Sequence, residues 1–256
     1  MKFSDDIGLW QRKVAEGPEG IARRMAVFEA LSVDNGQSVL DLGCGGGHLV
    51  REFALAVGPN GRAVGLDASA EQLGAAHAVC EGLAAVEFIE GDATEMSFED
   101  GTFDGVGSIQ TLEYISDVDR AISETRRVLK PGSKAAFVSV LWDHWRFHGA
   151  EQNLNDHMLD VWRAHCSHQM LPLEMPGKLR AANFGGILRR PISFFNGSFH
   201  ENCYGFWAAK VVAVFAIDQG VAEEEALAWL DQLSEADRRG HFGFVSVPVL
   251  TTAVAI

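Results

Sequence analysis

The stretch Val39–Gly47, VLDLGCGGG, constrains this chain more than any other. An apolar run ends at Asp41-Leu42, and glycines follow at Gly43, Gly45 and Gly47. The pattern predicts a buried strand, a tight turn and a helix from about His48. Glycine suits a turn where a ligand must lie almost against the backbone, because a β-carbon there would collide with it. The spacing also excludes. A dinucleotide fingerprint G-x-G-x-x-G/A started at Gly43 needs glycine or alanine at position 48, where this chain has His48. No G-x-x-x-x-G-K-[ST] phosphate loop occurs.

Around that loop, strands and helices alternate. The pattern predicts a helix over Ile21–Leu31, then strands at Ser38–Leu42, Ala63–Asp67, Val86–Glu90, Phe103–Ile109 and Lys134–Leu141. Helices are expected over His48–Val57, Ala70–Glu81 and Asp117–Leu129, with Lys130-Pro131-Gly132 as a stop. Strands spaced by helices imply parallel crossovers and a doubly wound α/β sheet. Ligands then bind beyond the carboxyl ends of the strands, where strand order reverses. After Leu141 the rhythm changes. Trp142–Met175 reads as helical but irregular, and Leu179–Phe184 as the close of a helix. A strand is expected at Ile187–Phe194, helices at His200–Ile217 and Ala222–Leu233, and a β-rich end at Phe242–Val254. The 256 residues, 47% hydrophobic, suffice for one large domain with a helical cap inserted after strand 5.

The formal net charge of −14 opposes a general nucleic-acid role or docking on an anionic membrane. Arg189-Arg190 reads as a solvated strand end. The apolar segment Val211–Ile217 is closed off by Lys210 and Asp218 far below spanning length, so no membrane insertion is expected. The beginning, MKFSDDIGLW, has no apolar core of signal-peptide length. Cys44, Cys80, Cys166 and Cys203 stand far apart with no C-x-x-C, which reads as reduced thiols of a cytoplasmic protein.

More signals fall at the strand ends. Strand 2 ends in Asp67, whose carboxylate can accept from two vicinal hydroxyls of a ribose. Strand 3 runs into Gly91-Asp92-Ala93, and strand 4 into Gln110-Thr111-Leu112-Glu113-Tyr114. In order, VLDLGCGGG, VGLDAS, GDATEMSF, LEYISD and VLKPGS resemble class I methyltransferases that use S-adenosylmethionine (SAM), of the ubiquinone/menaquinone-biosynthesis type (type 11). The likeness covers about residues 35–140. Ser133 departs from it, standing where the family usually has a second glycine.

The resemblance implies a mostly parallel seven-stranded, Rossmann-like sheet in one domain over 1–256. The cofactor half would cover about 35–140, and an acceptor cap about 142–183 and 196–222. It implies SAM as cofactor. Asp41 and the amides around Gly43, Gly45 and Gly47 would hold the methionine moiety. Asp67, with Ala68 beside it, would take the ribose, and Asp92 and Ala93 the adenine. Gln110 would lie near the methionine end. Cys44, inside the loop, is counted with these cofactor-binding residues, its side chain read as packing rather than reactive.

Methyl transfer is an in-line displacement at a sulfonium carbon, so a general base is optional. His144 and His148, in WDHWRFH, and Tyr114 are the candidate catalytic residues; a surface or supporting position competes for, and is favoured for, either histidine alone, and packing competes equally for Tyr114. Trp142 and Trp145 read equally as pocket wall or cap core. Glu113 reads as a cap for the following turn. Trp10 is a candidate lid residue. His157, Val161, His165 and His168 would share a helix face, without carboxylates at ligand spacing, so no metal is expected. The partner is a small-molecule acceptor, and the chain a monomer or homodimer. Three other readings compete: an arsenite- or thiol-type methyltransferase using Cys166 and Cys203, a non-catalytic SAM-binding protein, and a nicotinamide dehydrogenase, which the glycine spacing disfavours.

Overall fold

A computed structural model describes Trp10 and residues 13–256. Residues 1–9, 11 and 12 lie outside the described residues, and with them most of the opening stretch read as having no signal-peptide core. Contacts divide the chain into two compact units. One, the sheet unit, comprises Ala22–Ser139, Leu171–Pro191 and Val249–Ile256. The other, the helical unit, comprises Val140–Met170, Ile192–Pro248 and the described residues up to Ile21.

The sheet unit holds seven strands: β1 (Ser38–Leu42), β2 (Arg62–Asp67), β3 (Val86–Glu90), β4 (Phe103–Ile109), β5 (Leu129–Val140), β7 (Phe184–Pro191) and β10 (Pro248–Ala255). Their order is β3-β2-β1-β4-β5-β10-β7. Strands β3 through β5 pair in parallel, and β10 pairs antiparallel with β7. The sheet is the mostly parallel, doubly wound one expected from the sequence. Order reverses between β1 and β4, so the turns leaving Leu42 and Ile109 open side by side. Helices α1 (Pro18–Leu31), α2 (His48–Val57), α3 (Ala70–Val79) and α4 (Val118–Val128) precede or connect these strands. Buried Leu40, Leu42, Val64, Leu66, Phe103, Val106 and Phe137 form the core of this unit. They belong to strands whose central residues are buried on both faces.

Several boundaries differ from the sequence reading, among them β7, which runs Phe184–Pro191 where Ile187–Phe194 is expected. Strand β5 starts at Leu129, not Lys134: Leu129 pairs with Phe103, and Lys134 pairs with Gly105. The Lys-Pro-Gly turn is an excursion within the strand, because tertiary pairing resumes after it. Helix α6 (Leu171–Ala181) belongs to the sheet unit, where Leu171, Met175 and Leu179 enter the core at four-residue spacing.

The helical unit contains β6 (Arg146–His148), α5 (Gln152–Trp162), β8 (Phe194–Asn196), α7 (Tyr204–Asp218), α8 (Glu223–Arg238) and β9 (Gly243–Ser246). Its strands make an antiparallel sheet in the order β6-β9-β8. The single β-rich end read over Phe242–Val254 is therefore two strands in two different sheets. Val247 stands between them, and Pro248 opens the second; Pro248 has no N–H, and its carbonyl accepts from Ile192 N (2.7 Å). Helix α7 buries Val211, Val212, Phe215 and Ala216, as the apolar run there suggested. No helix among the described residues is long and apolar enough to cross a membrane.

Candidate functional site

The glycine loop folds over the end of β2: Gly43 N and Cys44 N both donate to Leu66 O, at 2.7 and 3.0 Å. On its other side the loop meets the turn after β4. A β-carbon on Gly43 would lie 2.1 Å from Thr111 Cγ2, and the Thr111 hydroxyl donates to Gly43 O at 3.2 Å. Only glycine lets the two turns close. Gly45 is different. Its φ is +49°, and a β-carbon there would meet nothing within 4 Å. The loop surface is bare at that point, and an incoming group can reach the main chain. Gly47 leads directly into α2.

Asp67 fastens this loop. Its Oδ2 accepts from Gly45 N (2.8 Å) and its Oδ1 from Ser69 N (2.9 Å). Each carboxylate oxygen keeps a second lone pair, so hydroxyl donors can still bind there. Capping of α3 falls to Ser69, whose hydroxyl accepts from Gln72 N at 3.3 Å, which frees Asp67 from that duty. Ala68 lies between the two in the chain.

Asp41 is buried, and burial, reinforced by the Asp67 carboxylate, pushes its pKa well above the usual carboxylate range. A carboxyl in that position gains from a cation placed beside it. Cys44 is buried with its Sγ against Gly65, where an added β-carbon would come within 2.8 Å. Burial also drives its thiol pKa far up, so Cys44 packs and does not react.

After β3, Asp92 Oδ1 accepts from Thr94 N (2.7 Å) and from the Thr94 hydroxyl (2.8 Å). These bonds hold its pKa below the usual range, so it stays ionised, exposed, with Oδ2 able to accept. Ala93 is buried beside it.

Gln110 ends β4 with φ +51°, a left-handed backbone unusual outside glycine. Its amide donates to Val138 O (2.7 Å), and its side-chain oxygen accepts from Arg23 Nη1. Arg23 is 2% exposed, the one lysine or arginine of the described residues in the buried class. Sequence reading passed over Arg23 and Thr111. A signal for Arg23 existed: it shares the stripe of Val27 and Leu31, a charge on an otherwise apolar helix face.

Glu113 is wholly buried, not a surface cap; Asp117 caps α4 instead, accepting from Arg120 N (3.0 Å). Tyr114, next in the same turn, is 38% exposed.

Of the residues expected on the acceptor side, 142–170 and 196–222 lie in the helical unit, whereas 171–183 belong to the sheet unit. His144 and His148 are exposed, while Trp142 and Trp145 between and before them are buried with rings 4.7 Å apart. The tryptophan pair is core. Trp10 packs against Trp207 at 6.5 Å. The expected histidine face does not form, because α5 stops at Trp162. His157 pairs with Glu225 (2.7 Å), whereas His165 is buried and stacked on Trp162 at 3.9 Å. Cys203 Sγ lies 3.4 Å from His200 Nε2, and Cys166 Sγ accepts from Gln169 (3.3 Å). Among the described residues, no three His, Cys, Asp or Glu side chains gather to hold a metal.

A doubly wound sheet of this order, with a glycine loop after β1 and acids after β2 and β3, defines the class I methyltransferase fold. Residues 39–132 match the family described as "Methyltransferase domain". Residues 39–132 are thus similar to that family, and the sheet has the class I methyltransferase fold. It is 41% identical over 131 residues to the 2-phytyl-1,4-beta-naphthoquinone methyltransferase of Arabidopsis thaliana, covering 49% of this chain and 48% of that protein. It is 29% identical over 234 residues to methyltransferase phqN of Penicillium fellutanum, covering 88% and 62%. The chain spans about half the length of such curated relatives. Among solved structures, phosphoethanolamine N-methyltransferase 2 of Haemonchus contortus, in complex with S-adenosyl-L-methionine, shares the fold with a TM-score of 0.64 at 19% identity, over 98% of this chain and 57% of that one. The YcgJ protein of Bacillus subtilis does so with a TM-score of 0.61 at 20% identity, over 92% and 98%.

Proposed function

We propose that this chain is a SAM-dependent methyltransferase acting on a small-molecule metabolite. The observation that carries the reading is the bare main chain at Gly45, bracketed by Asp41, Asp67 and Asp92 at three successive strand ends. The residues fit the cofactor. Asp41, whose pKa burial raises, takes the ammonium of the methionine moiety. Asp67 takes the ribose hydroxyls through its remaining lone pairs. Asp92 Oδ2 accepts from the adenine amino group, and the Ala93 amide donates to a ring nitrogen. Gln110 and Arg23 stand at the methionine end, where the buried guanidinium answers the carboxylate.

Bound SAM supplies a methyl group already activated on a sulfonium. The protein's task is to orient the sulfonium, align the acceptor behind the methyl and exclude water. An acceptor that must lose a proton would pass it to solvent or to a base of this chain. His144, His148 and Tyr114 are the candidates for that base, supported by their exposure, which lets them exchange protons. The quinone methyltransferases among the relatives favour a planar, apolar acceptor. Free cysteines accord with a cytoplasmic setting.

Calorimetric titration with S-adenosylhomocysteine (SAH), with NADH as control, tests the reading. Micromolar binding of SAH alone is expected. Asp67→Ala should weaken it about 10- to 100-fold, through lost charge-assisted hydrogen bonds and a loosened loop. Binding of NADH in preference to SAH overturns the reading. Tight SAH binding without transfer to any acceptor from a labelled donor makes the chain a binding protein instead.

A further inference from the structure

We propose that Arg120, Glu124 and Arg127 of α4 form a clamp that positions the turn after β3 and thereby sets base selectivity at the nucleoside end of the site. The proposal rests on the reading of Asp92 and Ala93 as the adenine-binding pair.

The segment from Gly91 to Thr102 contains no helix or strand. Left to itself, a stretch of this kind samples many conformations, and ordering it carries a conformational-entropy cost. Its own bonds are local: Asp92 holds Thr94, and Glu95 N donates to Asp92 O (3.1 Å). Gly91 N donates to Asp67 O (3.0 Å) at the end of β2, and the further main-chain bonds come from α4. Arg120 Nε donates to Thr94 O (3.1 Å). Glu124 Oε2 accepts from Met96 N (2.9 Å). Arg127 Nη2 donates to Met96 O (2.9 Å) and Nη1 to Phe98 O (2.6 Å) and Asp100 (2.9 Å).

Residues 120, 124 and 127 fall on one helix face by their spacing. The last two are also locked to each other. Arg127 Nε and Nη2 meet the two oxygens of Glu124 at 2.9 and 2.8 Å, a planar fork-to-fork pair. Glu124 is 5% exposed, and the Arg127 hydrogen bond holds its pKa below the usual range. Met96 and Phe98 already anchor the segment through buried apolar side chains. Apolar anchors fix depth, but they leave main-chain orientation loose. The clamp instead grips carbonyls and an amide, within a few residues of Asp92.

Orientation matters because adenine and hypoxanthine differ at adjacent positions: the exocyclic group is an amino donor in adenine and a carbonyl acceptor in hypoxanthine, and N1 is an acceptor in adenine and an N–H donor in hypoxanthine. A well-placed carboxylate accepts from the amino group and repels the carbonyl. A site built around such a hydrogen bond rejects the analogue that lacks it, provided its geometry is held.

The test compares SAH with S-inosylhomocysteine by calorimetry, on the wild type and on Arg120→Ala, Glu124→Gln and Arg127→Gln. The wild type should prefer SAH by about 100-fold or more, the discrimination expected of a hydrogen-bonding site. Arg127→Gln should bind SAH about 10-fold more weakly and cut the preference below about 10-fold, with Arg120→Ala intermediate. A general loss of stability would weaken both ligands alike and leave their ratio unchanged. Should Arg127→Gln fail to fold, the ratio in Arg120→Ala, whose arginine is 57% exposed, and in near-isosteric Glu124→Gln decides. Folded variants that keep the wild-type ratio overturn the clamp, as does a wild type that binds both ligands equally. A wild type that binds neither ligand overturns the cofactor reading and the clamp together, so the two failures are distinguishable.

Discussion

The two units solve different problems with polar and aromatic side chains. In the sheet unit, the chemistry-bearing residues bind main chain: Asp67 holds Gly45, Asp92 holds Thr94, and Thr111 holds Gly43. Each sits at a strand end, so strand pairing sets its position. In the helical unit, side chains bind side chains. Trp145 stacks on Trp162 at 5.8 Å, Phe147 lies 4.4 Å from Phe244, and Trp229 Nε1 donates to Asn155 Oδ1 (3.0 Å). The difference teaches that a ligand site built on turns can be recognised from a short motif, whereas an aromatic core cannot be told from an aromatic pocket until its packing is seen.

Breaking the aromatic core should have the largest effect. Trp229→Ala removes a wholly buried ring and should cost about 3–5 kcal/mol, read from denaturant midpoints by near-ultraviolet circular dichroism. A loss under 1 kcal/mol would mean the cluster is not packed as described.

In the sheet unit, Gly45→Val should abolish SAH binding, at least about 100-fold, while the protein stays folded. The added side chain meets nothing within 4 Å, and the left-handed backbone costs only about 1–2 kcal/mol. Retained affinity would place the ligand elsewhere.

His165 sharpens the comparison. Burial lowers its pKa to about 4, from an ordinary value of 6.5. The unfolded chain therefore takes up a proton below pH 6.5 that the folded chain refuses. Stability should fall as pH drops from about 6.5 towards 4, by about 1–2 kcal/mol at pH 5. Urea unfolding at pH 7 and pH 5 should show that loss in the wild type and not in His165→Phe.

The smallest effects belong to the exposed histidines. His144→Ala and His148→Ala should change stability by less than about 0.5 kcal/mol and leave SAH affinity unaltered. A drop in turnover confined to one of them, and to acceptors that must lose a proton, would identify the base.

Much of the sheet unit was legible in the sequence, because local rules act there. The strand Ser38–Leu42 and the helix His48–Val57 carry the bounds that periodicity and glycine spacing suggested. The site acids could be named because they end apolar runs. Arg23 and Gln110 were different: their contact joins residues 87 positions apart, and no local pattern encodes it. Glu113 misled for the same reason, since nothing in LEYISD distinguishes a buried carboxylate from a surface cap.

By itself the sequence determined the fold class, the glycine loop and the order of the acids. Hydrophobic period and the steric demand for glycine are properties of the chain within a few residues of each position. Only the tertiary structure decided that Phe242–Val254 divides between two sheets, that Trp142 and Trp145 are core, and that α4 grips the turn after β3. Those outcomes depend on which distant surface each segment meets, and burial and long-range hydrogen bonds settle that only once the chain has folded.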